Sequence, residues 1–378
     1  MLNESYSQAN RCREKMNWTI SVDETKEGHA PLRILLTGPM SGSVGGVSVH
    51  LNRLRFGLHQ EDIAVELVDE SRHIEESIYN LRSKRIMPYL RRLRRCNIAH
   101  IQSSVHIFRW LHVVASRCFG LYVVVTIHSW RSSRIVTILN KLFLRLAHRI
   151  IVVNDDIGMR LRLRTYEVIP AFLPPARRTG DLPVEIKQFI ASARNQGCSV
   201  LCANASKLTE YQGEDLYGLD LCIKLINNLT YQTDINAALV FVVTYPAANN
   251  PIYINARKLI LQRGLKARIC LYNKSVDFVS LMTLCNVVLR PTMTDGDALT
   301  VREALYLGLP VVASDSAKRP EGTIVFRNRD VVDFADRTIA AINGEANVRK
   351  VSRDNDHGKE LSKYVNLYRT VSGSLIPG

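Results

Sequence analysis

Short apolar segments alternate with longer helical segments along almost the whole chain, and this alternation restricts the fold more than any other feature. The predicted strands are 33–37, 63–68, 97–101, 121–127, 149–153 and 166–169 in the first half, and 199–203, 238–243, 267–271, 287–289 and 311–313 in the second, with 323–326 as a last edge strand. Strands that are apolar throughout and alternate with helices indicate a parallel sheet covered on both faces. The predicted fold class is therefore α/β, with two doubly wound, Rossmann-like domains.

A linker divides the two series of strands. It is marked by Pro170, Pro174, Pro175 and Gly180. We predict a loose tail at 1–30, a first Rossmann-like domain at 31–175, a second at 176–345, and a helical segment at 346–378 that packs back on the first domain. A cleft is expected between the domains, at the carboxyl ends of the strands, where ligands bind in folds of this class.

The net charge of +15 is unevenly distributed. No Asp or Glu occurs between Glu76 and Asp155, whereas fourteen Lys or Arg residues do. The first of these basic residues are Arg82, Lys84, Arg85, Arg91, Arg92, Arg94 and Arg95. A solvated helix face explains single charges but not the missing acids, so we expect these residues to meet an anionic membrane surface or an anionic acceptor. Nucleic acid is not expected, because aromatic residues are not interleaved here.

Composition also predicts the compartment. No apolar run is long enough for a transmembrane helix, and the N-terminal residues lack the apolar core of a signal peptide. The eight cysteines are scattered, which favours small buried thiols over a disulfide or zinc framework. We expect a cytoplasmic protein, peripheral on the inner face of the cytoplasmic membrane.

The segment 290–315 carries the strongest functional signal. A strand is followed by a loop with Asp295 and Gly296, then by a helix with Glu303, and then by a second apolar strand. A helix N-terminus offers unpaired N–H groups to phosphate, and a helical carboxylate accepts both hydroxyls of a ribose. The segment therefore suits a nucleotide-sugar.

Two further features follow predicted strands and belong on the same cleft. Gly45 and Gly46 come after the first strand and before a helix, where glycine permits close approach of the backbone to a ligand. His128 directly follows the central strand 121–127. A structural turn and a structural histidine are the ordinary alternatives.

With these motifs in this order, the chain resembles a family 4 glycosyltransferase of the GT-B fold, over about residues 32–345. The resemblance implies a hexosyl- or related transferase, of the type that assembles bacterial surface polysaccharides. It implies transfer with retention of anomeric configuration and without a metal or cofactor, the nucleotide-sugar being a co-substrate.

The resemblance assigns roles by position. Glu303 would bind the donor ribose, and Asp295, where the family usually has Glu, would reach hydroxyls of the donor sugar. His128 would contact that sugar near the reacting carbon. The diphosphate would face the glycine loop and the backbone of the helix start, which comprises Gly296, Asp297, Ala298, Leu299 and Thr300. Asp297 could alternatively cap the helix.

One departure concerns the leaving diphosphate, which the family neutralises with an Arg and a Lys. Asn204 stands at the Arg position and Tyr217 at the Lys position. Lys207 could supply the charge from a shifted position, and so could Lys318 and Arg319. If none does, transfer is expected to be slow or absent.

The sequence thus predicts transfer of a sugar from a nucleotide-sugar to a glycan acceptor, which we expect to be linked to a lipid diphosphate. This places the protein in the biosynthesis of O-antigen, capsule or exopolysaccharide. Three alternatives stay open: a GT-B epimerase or phosphorylase, a noncatalytic GT-B scaffold, and a nucleic-acid-binding protein whose only support is the charge.

Overall fold

The computed structural model describes residues 32–40, 45–72, 77–129, 134–175, 181–295, 297–345 and 359–374. Leu32–Gly378 forms one compact unit. The predictions for the tail 1–30 and for Gly296 lie outside the described residues.

The first domain is built on a parallel sheet with the strand order β2-β1-β3-β4-β5-β6. Its strands are β1 (Arg33–Gly38), β2 (Ala64–Asp69), β3 (Ile98–Ile101), β4 (Tyr122–Ile127), β5 (Arg149–Val152) and β6 (Glu167–Val168). Its helices are α1 (Gly46–Gln60), α2 (Ile86–Arg95), α3 (His106–Cys118), α4 (Arg134–Leu144) and α5 (Asp155–Leu161), with a 3-10 helix at Leu81–Ser83.

The second domain repeats this plan with the strand order β11-β10-β7-β12-β13-β14. Its strands are β7 (Ser199–Ala205), β10 (Ala237–Val243), β11 (Ile269–Tyr272), β12 (Val287–Arg290), β13 (Val311–Ser314) and β14 (Ile324–Phe326), and a hairpin of β8 (Glu210–Tyr211) and β9 (Glu214–Asp215) stands apart. Its helices are α6 (Val184–Asn195), α7 (Leu219–Gln232), α8 (Pro251–Gln262), α9 (Phe278–Met282), α10 (Leu299–Tyr306) and α11 (Val331–Ile342), with a 3-10 helix at Leu265–Ala267.

The strand sequences explain why both sheets are covered on two faces. In β10, Leu239 and Phe241 enter one core cluster, whereas Val240 and Val242 enter the cluster on the opposite face. Side chains alternate between the faces of a strand, so a continuous apolar run fills both layers. The predicted doubly wound arrangement of two parallel sheets is confirmed.

A last helix, α12 (Lys359–Ser374), completes the core of the first domain. Tyr364 and Tyr368 are fully buried among residues of β1 and α1. The hydroxyl group of Tyr368 lies 2.5 Å from Nδ1 of His100, which belongs to β3. The chain therefore returns to the first domain after it has built the second.

Several elements differ from the sequence prediction. Between the strands predicted at 63–68 and 97–101 the sequence predicts a helix over most of 72–95, whereas the α-helical part of the described residues starts at Ile86. Pro88 then lies in the first turn, where a missing N–H costs nothing, so it does not interrupt the helix. The β8–β9 hairpin and α5 were not predicted. The sequence predicts a helix near 215–228, whereas α7 begins at Leu219, directly after Gly218 in a left-handed conformation.

The described part of the chain contains no helix that is both long and apolar enough to cross a membrane. Its cysteines are all free thiols. Cys118 is exposed at the end of α3, so the expectation of buried thiols is wrong at that position.

Candidate functional site

Each sheet changes the direction of its strand order at one point, and these two points position the site. In the second sheet the change falls between β7 and β12, and in the first between β1 and β3. Ligands of doubly wound sheets bind at the carboxyl ends of the strands beside such a point. Asn204 of β7 and Arg290 of β12 lie at that edge, and Arg290 Nη1 donates to Asn204 Oδ1 over 3.4 Å.

Asp295 is the centre of a buried ion cluster. Arg290 donates to it from Nε over 3.0 Å and from Nη2 over 3.3 Å. Arg319 donates from Nη1 over 3.1 Å, and the hydroxyl of Thr292 donates over 3.0 Å. The loop after β12 is therefore folded back on its own strand by one carboxylate.

The cluster keeps Asp295 ionised. Burial alone raises the pKa of the carboxyl group, but the two guanidinium groups outweigh burial and hold that pKa below its ordinary value. Three of the four hydrogen bonds fall on Oδ2. A carboxylate has about four acceptor positions, so Oδ1 keeps capacity for a further donor such as a sugar hydroxyl.

A cation from β12 lies beside both positions that lack a cation in sequence. Arg290 lies beside Asn204, and its Cζ is 5.6 Å from the centre of the Tyr217 ring. Tyr217 itself is bonded to Ser206 over 2.8 Å. The guanidinium group of Arg290 thus lies beside Asn204 and Tyr217, and that of Arg319 reaches the same carboxylate, Asp295.

The three candidate replacements differ in placement. Lys207 and Lys318 are exposed, and neither has an ion pair among the described residues. Arg319 is held in the cluster, and its Nε donates to the carbonyl of Ser314 over 2.8 Å. Arg319 is therefore the candidate that the structure brings to Asp295.

Helix α10 begins at Leu299 with Ala298 as its N-cap. No side chain caps it, so the alternative that Asp297 is a helix cap is wrong. Asp297 instead accepts from Arg302 Nε over 2.6 Å and from the backbone N–H of Ala171 over 3.3 Å. The first N–H groups of a helix have no intrahelical acceptor, so those at the start of α10 are available to an anion.

Glu303 is buried on α10 and forms an ion pair with the first domain. Its Oε1 lies 2.5 Å from Nη2 of Arg53, which belongs to α1. Arg53 Nη1 also donates to the carbonyl of Leu173 over 2.9 Å. The carboxylate expected to bind ribose is thus occupied by a cation from across the cleft.

The glycine loop meets the same helix start. Gly45 is the N-cap of α1, and Gly46 is its first residue. A Cβ atom at Gly46 would lie 3.7 Å from Leu299 Cδ1. The N-termini of α1 and α10 therefore approach each other, so both can face one diphosphate.

His128 directly follows β4 and lies in a cluster of histidines. Its Nε2 is bonded to Oε1 of Gln102 over 2.7 Å, and its ring packs edge-on against that of His50 with centroids 5.2 Å apart. Burial lowers the pKa of His128 well below its ordinary value, and His50 and His100 lower it further. His128 is neutral at pH 7, its Nε2–H donates to Gln102, and its Nδ1 therefore keeps a lone pair that can accept a hydrogen bond from a hydroxyl group.

The basic residues of 82–95 are distributed over several surroundings. Arg92 and Arg95 lie 3.5 Å and 3.8 Å from Glu66 of β2, so the acid-free stretch is partly compensated by an earlier strand. Arg82 stacks on the ring of Phe108 at 4.8 Å. The side chains of Lys84, Arg85, Arg91 and Arg94 are exposed.

Sequence reasoning missed Arg290 and Arg53. Arg290 had a usable signal, since it is the last residue of a strand that enters the Asp295 loop. Arg53 had none, because its partner lies 250 positions away and one arginine on a partly buried helix is ordinary.

Two facing Rossmann-like domains of this kind define the GT-B fold. Residues 212–356 match the model of the glycosyl transferases group 1 family. This stretch contains the Asp295 cluster and Glu303. No curated protein sequence matches the chain.

Solved structures match the fold at low identity. A glycosyltransferase from Rickettsia africae ESF-5 has a TM-score of 0.67 and 12% identity, covering 91% of this chain and 99% of that one. Anabaena HepE in complex with UDP and glucose has a TM-score of 0.65 and 14% identity, covering 91% and 99%. Sucrose-phosphate synthase from Thermosynechococcus elongatus has a TM-score of 0.63 and 15% identity, covering 91% and 100%. The predicted GT-B fold is confirmed.

Proposed function

We propose that the protein is a retaining glycosyltransferase that moves a sugar from a nucleotide-sugar to a glycan acceptor. The observation that carries this proposal is the arrangement in 290–303. Arg290 is bonded to Asp295 in the loop before α10, and the buried Glu303 lies on α10 itself. This arrangement lies in the stretch that matches the glycosyl transferases group 1 model. The UDP and glucose bound to HepE support a nucleotide-sugar donor.

The donor would bind mainly to the second domain. Glu303 would accept the ribose hydroxyls once Arg53 has moved aside, since a carboxylate can bond both. The N–H groups at the start of α10 would bind the diphosphate, with Gly45 and Gly46 on its other side. Asp295, fixed by two arginines, would present Oδ1 to a sugar hydroxyl.

Arg290 and Arg319 would stabilise the departing diphosphate. As the bond between the sugar and the phosphate oxygen breaks, negative charge develops on that oxygen, and preorganised cations lower the barrier. The acceptor oxygen would bond to the anomeric carbon from the same face, and its proton would pass to the departing phosphate oxygen. Neutral His128 would contact the sugar beside this carbon. No metal or cofactor has a part in this scheme.

The acceptor is proposed to be a glycan on a lipid diphosphate, at the cytoplasmic face of the membrane. This would make the protein a peripheral enzyme in the synthesis of O-antigen, capsule or exopolysaccharide. The support is the basic stretch of the first domain, whose residues Lys84, Arg85 and Arg91 are exposed.

Donor binding is the first test. Radiolabelled nucleotide-sugars would be screened for binding to the native protein, with Glu303→Ala as the site variant and Glu321→Ala as a carboxylate control. We expect one donor class to bind, and Glu303→Ala to weaken it about tenfold or more, because two hydrogen bonds to a charged group are lost. Donor binding that is unchanged in Glu303→Ala would overturn the site.

A noncatalytic scaffold is a second candidate, favoured by the ion pair that occupies Glu303. It predicts that no nucleotide-sugar binds and that Glu303→Ala leaves the cellular role intact.

A sugar-nucleotide epimerase would instead release a free sugar isomer without any acceptor, which chromatography of the products would detect.

A further inference from the structure

The outward side of helices α3 and α4 is apolar and exposed. Its exposed apolar side chains are Ile107, Leu111 and Val114 of α3 and Ile135, Ile138, Leu139 and Leu142 of α4. Ile135 is 72% exposed and Ile138 is 67% exposed, so neither takes part in the core. Spacings of three and four residues place each set on one side of its helix. We call this surface the α3–α4 face.

The two stripes are neighbours. The ring of Trp110 on α3 stacks on that of Phe143 on α4, with centroids 5.1 Å apart. Trp110 Nε1 donates to Oδ1 of the buried Asn140 over 3.0 Å. The helices therefore pack side by side, and their outward stripes form one patch of a kind that monomeric proteins rarely expose to water without a function.

Basic residues border the patch on both flanks. Arg82 stacks on Phe108 at one flank of α3. At the end of α4 a cavity of about 590 Å³ opens beside the edge strand β6. Its basic lining residues are Lys141, Arg145, His148, Arg149, Arg162 and Arg164, and among the described residues of the lining only Glu167 is acidic.

We propose that the α3–α4 face inserts into the interfacial region of an anionic bilayer, and that the neighbouring cavity takes the phosphates of its lipid headgroups. A surface with an apolar centre and basic borders is attracted by both components of such a membrane. Trp110 lies on α3 beside these apolar side chains, and tryptophan is enriched at the level of the headgroups.

The placement of the face fits the proposed function, on which its biological meaning rests. Helix α3 follows β3 and helix α4 follows β4. The residues just after these strands, Gln102 and His128, are in contact in the candidate site. Both helices therefore start from the cleft edge, and a lipid-linked acceptor held at this face would lie close to the cleft.

A second copy of the chain is the less suitable occupant. A two-fold interface brings the same patch of each copy together. A basic flank of one copy would then lie near a basic flank of the other copy, and like charges repel. An anionic surface matches those borders instead.

The test is flotation with vesicles of phosphatidylcholine mixed with phosphatidylglycerol, and with vesicles of phosphatidylcholine alone. We expect the native protein to float with the anionic vesicles. The double variant Ile138→Asp/Leu142→Asp and the double variant Lys141→Glu/Arg145→Glu should each reduce partitioning by roughly tenfold or more. The matched controls are Val332→Asp and Arg257→Glu/Lys258→Glu, which alter exposed residues of the second domain and should float normally.

Flotation of the Ile138→Asp/Leu142→Asp variant at the native level would overturn the proposal, as would an equal loss in the controls. Sedimentation of the native protein as a dimer, converted to a monomer by the same variant without any change in flotation, would assign the face to a second copy.

Trp110 gives a direct readout. With Trp18 and Trp130 replaced by Phe, lipids brominated near the headgroup should quench the fluorescence of Trp110. A protein that floats without this quenching contacts the membrane elsewhere, and the proposal fails.

Donor binding separates this inference from the proposed function. The face variants should bind a nucleotide-sugar as the native chain does, because none of the substituted residues contacts the candidate site. Lost flotation with intact donor binding supports the face. Native flotation without donor binding, in contrast, would refute the transferase and leave the membrane surface in place.

Discussion

Arg53 of α1 and Glu303 of α10 form an ion pair that joins the two domains, with 2.5 Å between Nη2 and Oε1. Both side chains are largely buried, and the carboxylate is the one proposed to bind ribose. A donor bound in the proposed way would therefore compete with Arg53 for Glu303. Whether this ion pair is formed or broken would therefore report whether Glu303 is free to bind a donor.

Replacing Arg53 by Ala should leave Glu303 buried without its cation. We expect the free energy of unfolding to fall by about 3 kcal/mol, since breaking a buried pair strands a charge. UDP should then raise the melting temperature of Arg53→Ala more than that of the native protein, because the ribose would supply the missing partners. Thermal unfolding with and without UDP measures both effects. Arg55→Ala, an exposed neighbour on α1, is the control, and equal UDP shifts in all three proteins would contradict the competition.

Arg290 and Arg319 should act on the rate of transfer. Arg290→Ala and Arg319→Ala are each expected to lower kcat by about a hundredfold, the usual cost of losing one preorganised group that stabilises developing charge. KM for the donor should change less. Arg327→Ala, which removes an exposed arginine of the same domain, should leave both constants unchanged. Native turnover in Arg290→Ala would restrict that residue to holding the Asp295 loop.

Acid should destabilise the histidine cluster of the first domain. Burial lowers the pKa of His50 to about 4 and that of His100 to about 3, from an ordinary 6.5. Between pH 6.5 and these lower values the unfolded chain therefore binds more protons than the folded chain. The stabilisation that depends on neutral histidines is fully present above pH 6.5 and is lost as the pH decreases below it. Each histidine should cost about 1–2 kcal/mol between pH 7 and pH 5.

Urea unfolding at pH 7 and pH 5 measures this loss. His50→Asn keeps a donor for the carbonyl of Ala171, to which His50 Nδ1 is bonded over 2.8 Å, and it cannot titrate. Its stability should depend less on pH than that of the native protein. The exposed His59→Asn is the control, and an unchanged pH dependence in His50→Asn would show that this histidine is not the sensor.

Gly218 should tolerate no side chain. Its φ is +68°, and a Cβ atom would lie 2.4 Å from the carbonyl oxygen of Pro291, at the start of the Asp295 loop. We expect Gly218→Ala to lower the free energy of unfolding by about 3 kcal/mol or more. Gly120 has a similar φ of +75° but open space around it, so Gly120→Ala should cost only about 1 kcal/mol. Equal losses in chemical denaturation would show that the clash is relieved by movement of the loop.

The sheets could be predicted because strands buried on two faces are apolar at every position. Val240 and Val242 on one face and Leu239 and Phe241 on the other leave no alternative to a covered sheet. Helix starts were less predictable. Tertiary contacts and a left-handed Gly218 set the start of α7, and neither produces a hydrophobic period.

The candidate site was predictable where neighbours in sequence are neighbours in space. Asp295, Glu303 and the start of α10 lie on one continuous segment. Of the cations near them, Arg290 lies on the same segment, but Arg53 arrives from the other domain and Arg319 from the loop after β13. Long charged side chains form pairs across the cleft without producing any periodicity in the sequence. Such pairs can therefore be identified only from the structure.

Helix α12 gives the folding of this chain a definite order of events during synthesis. Tyr364 and Tyr368 fill the interior of the first domain, yet the ribosome makes them only after the whole second domain has been translated. The first domain therefore keeps the hydrophobic surface that α12 will cover exposed until the second domain and α12 have been synthesised. Chaperone binding at β1 and α1 during that interval, and its release when Lys359–Ser374 emerges, is the expected consequence.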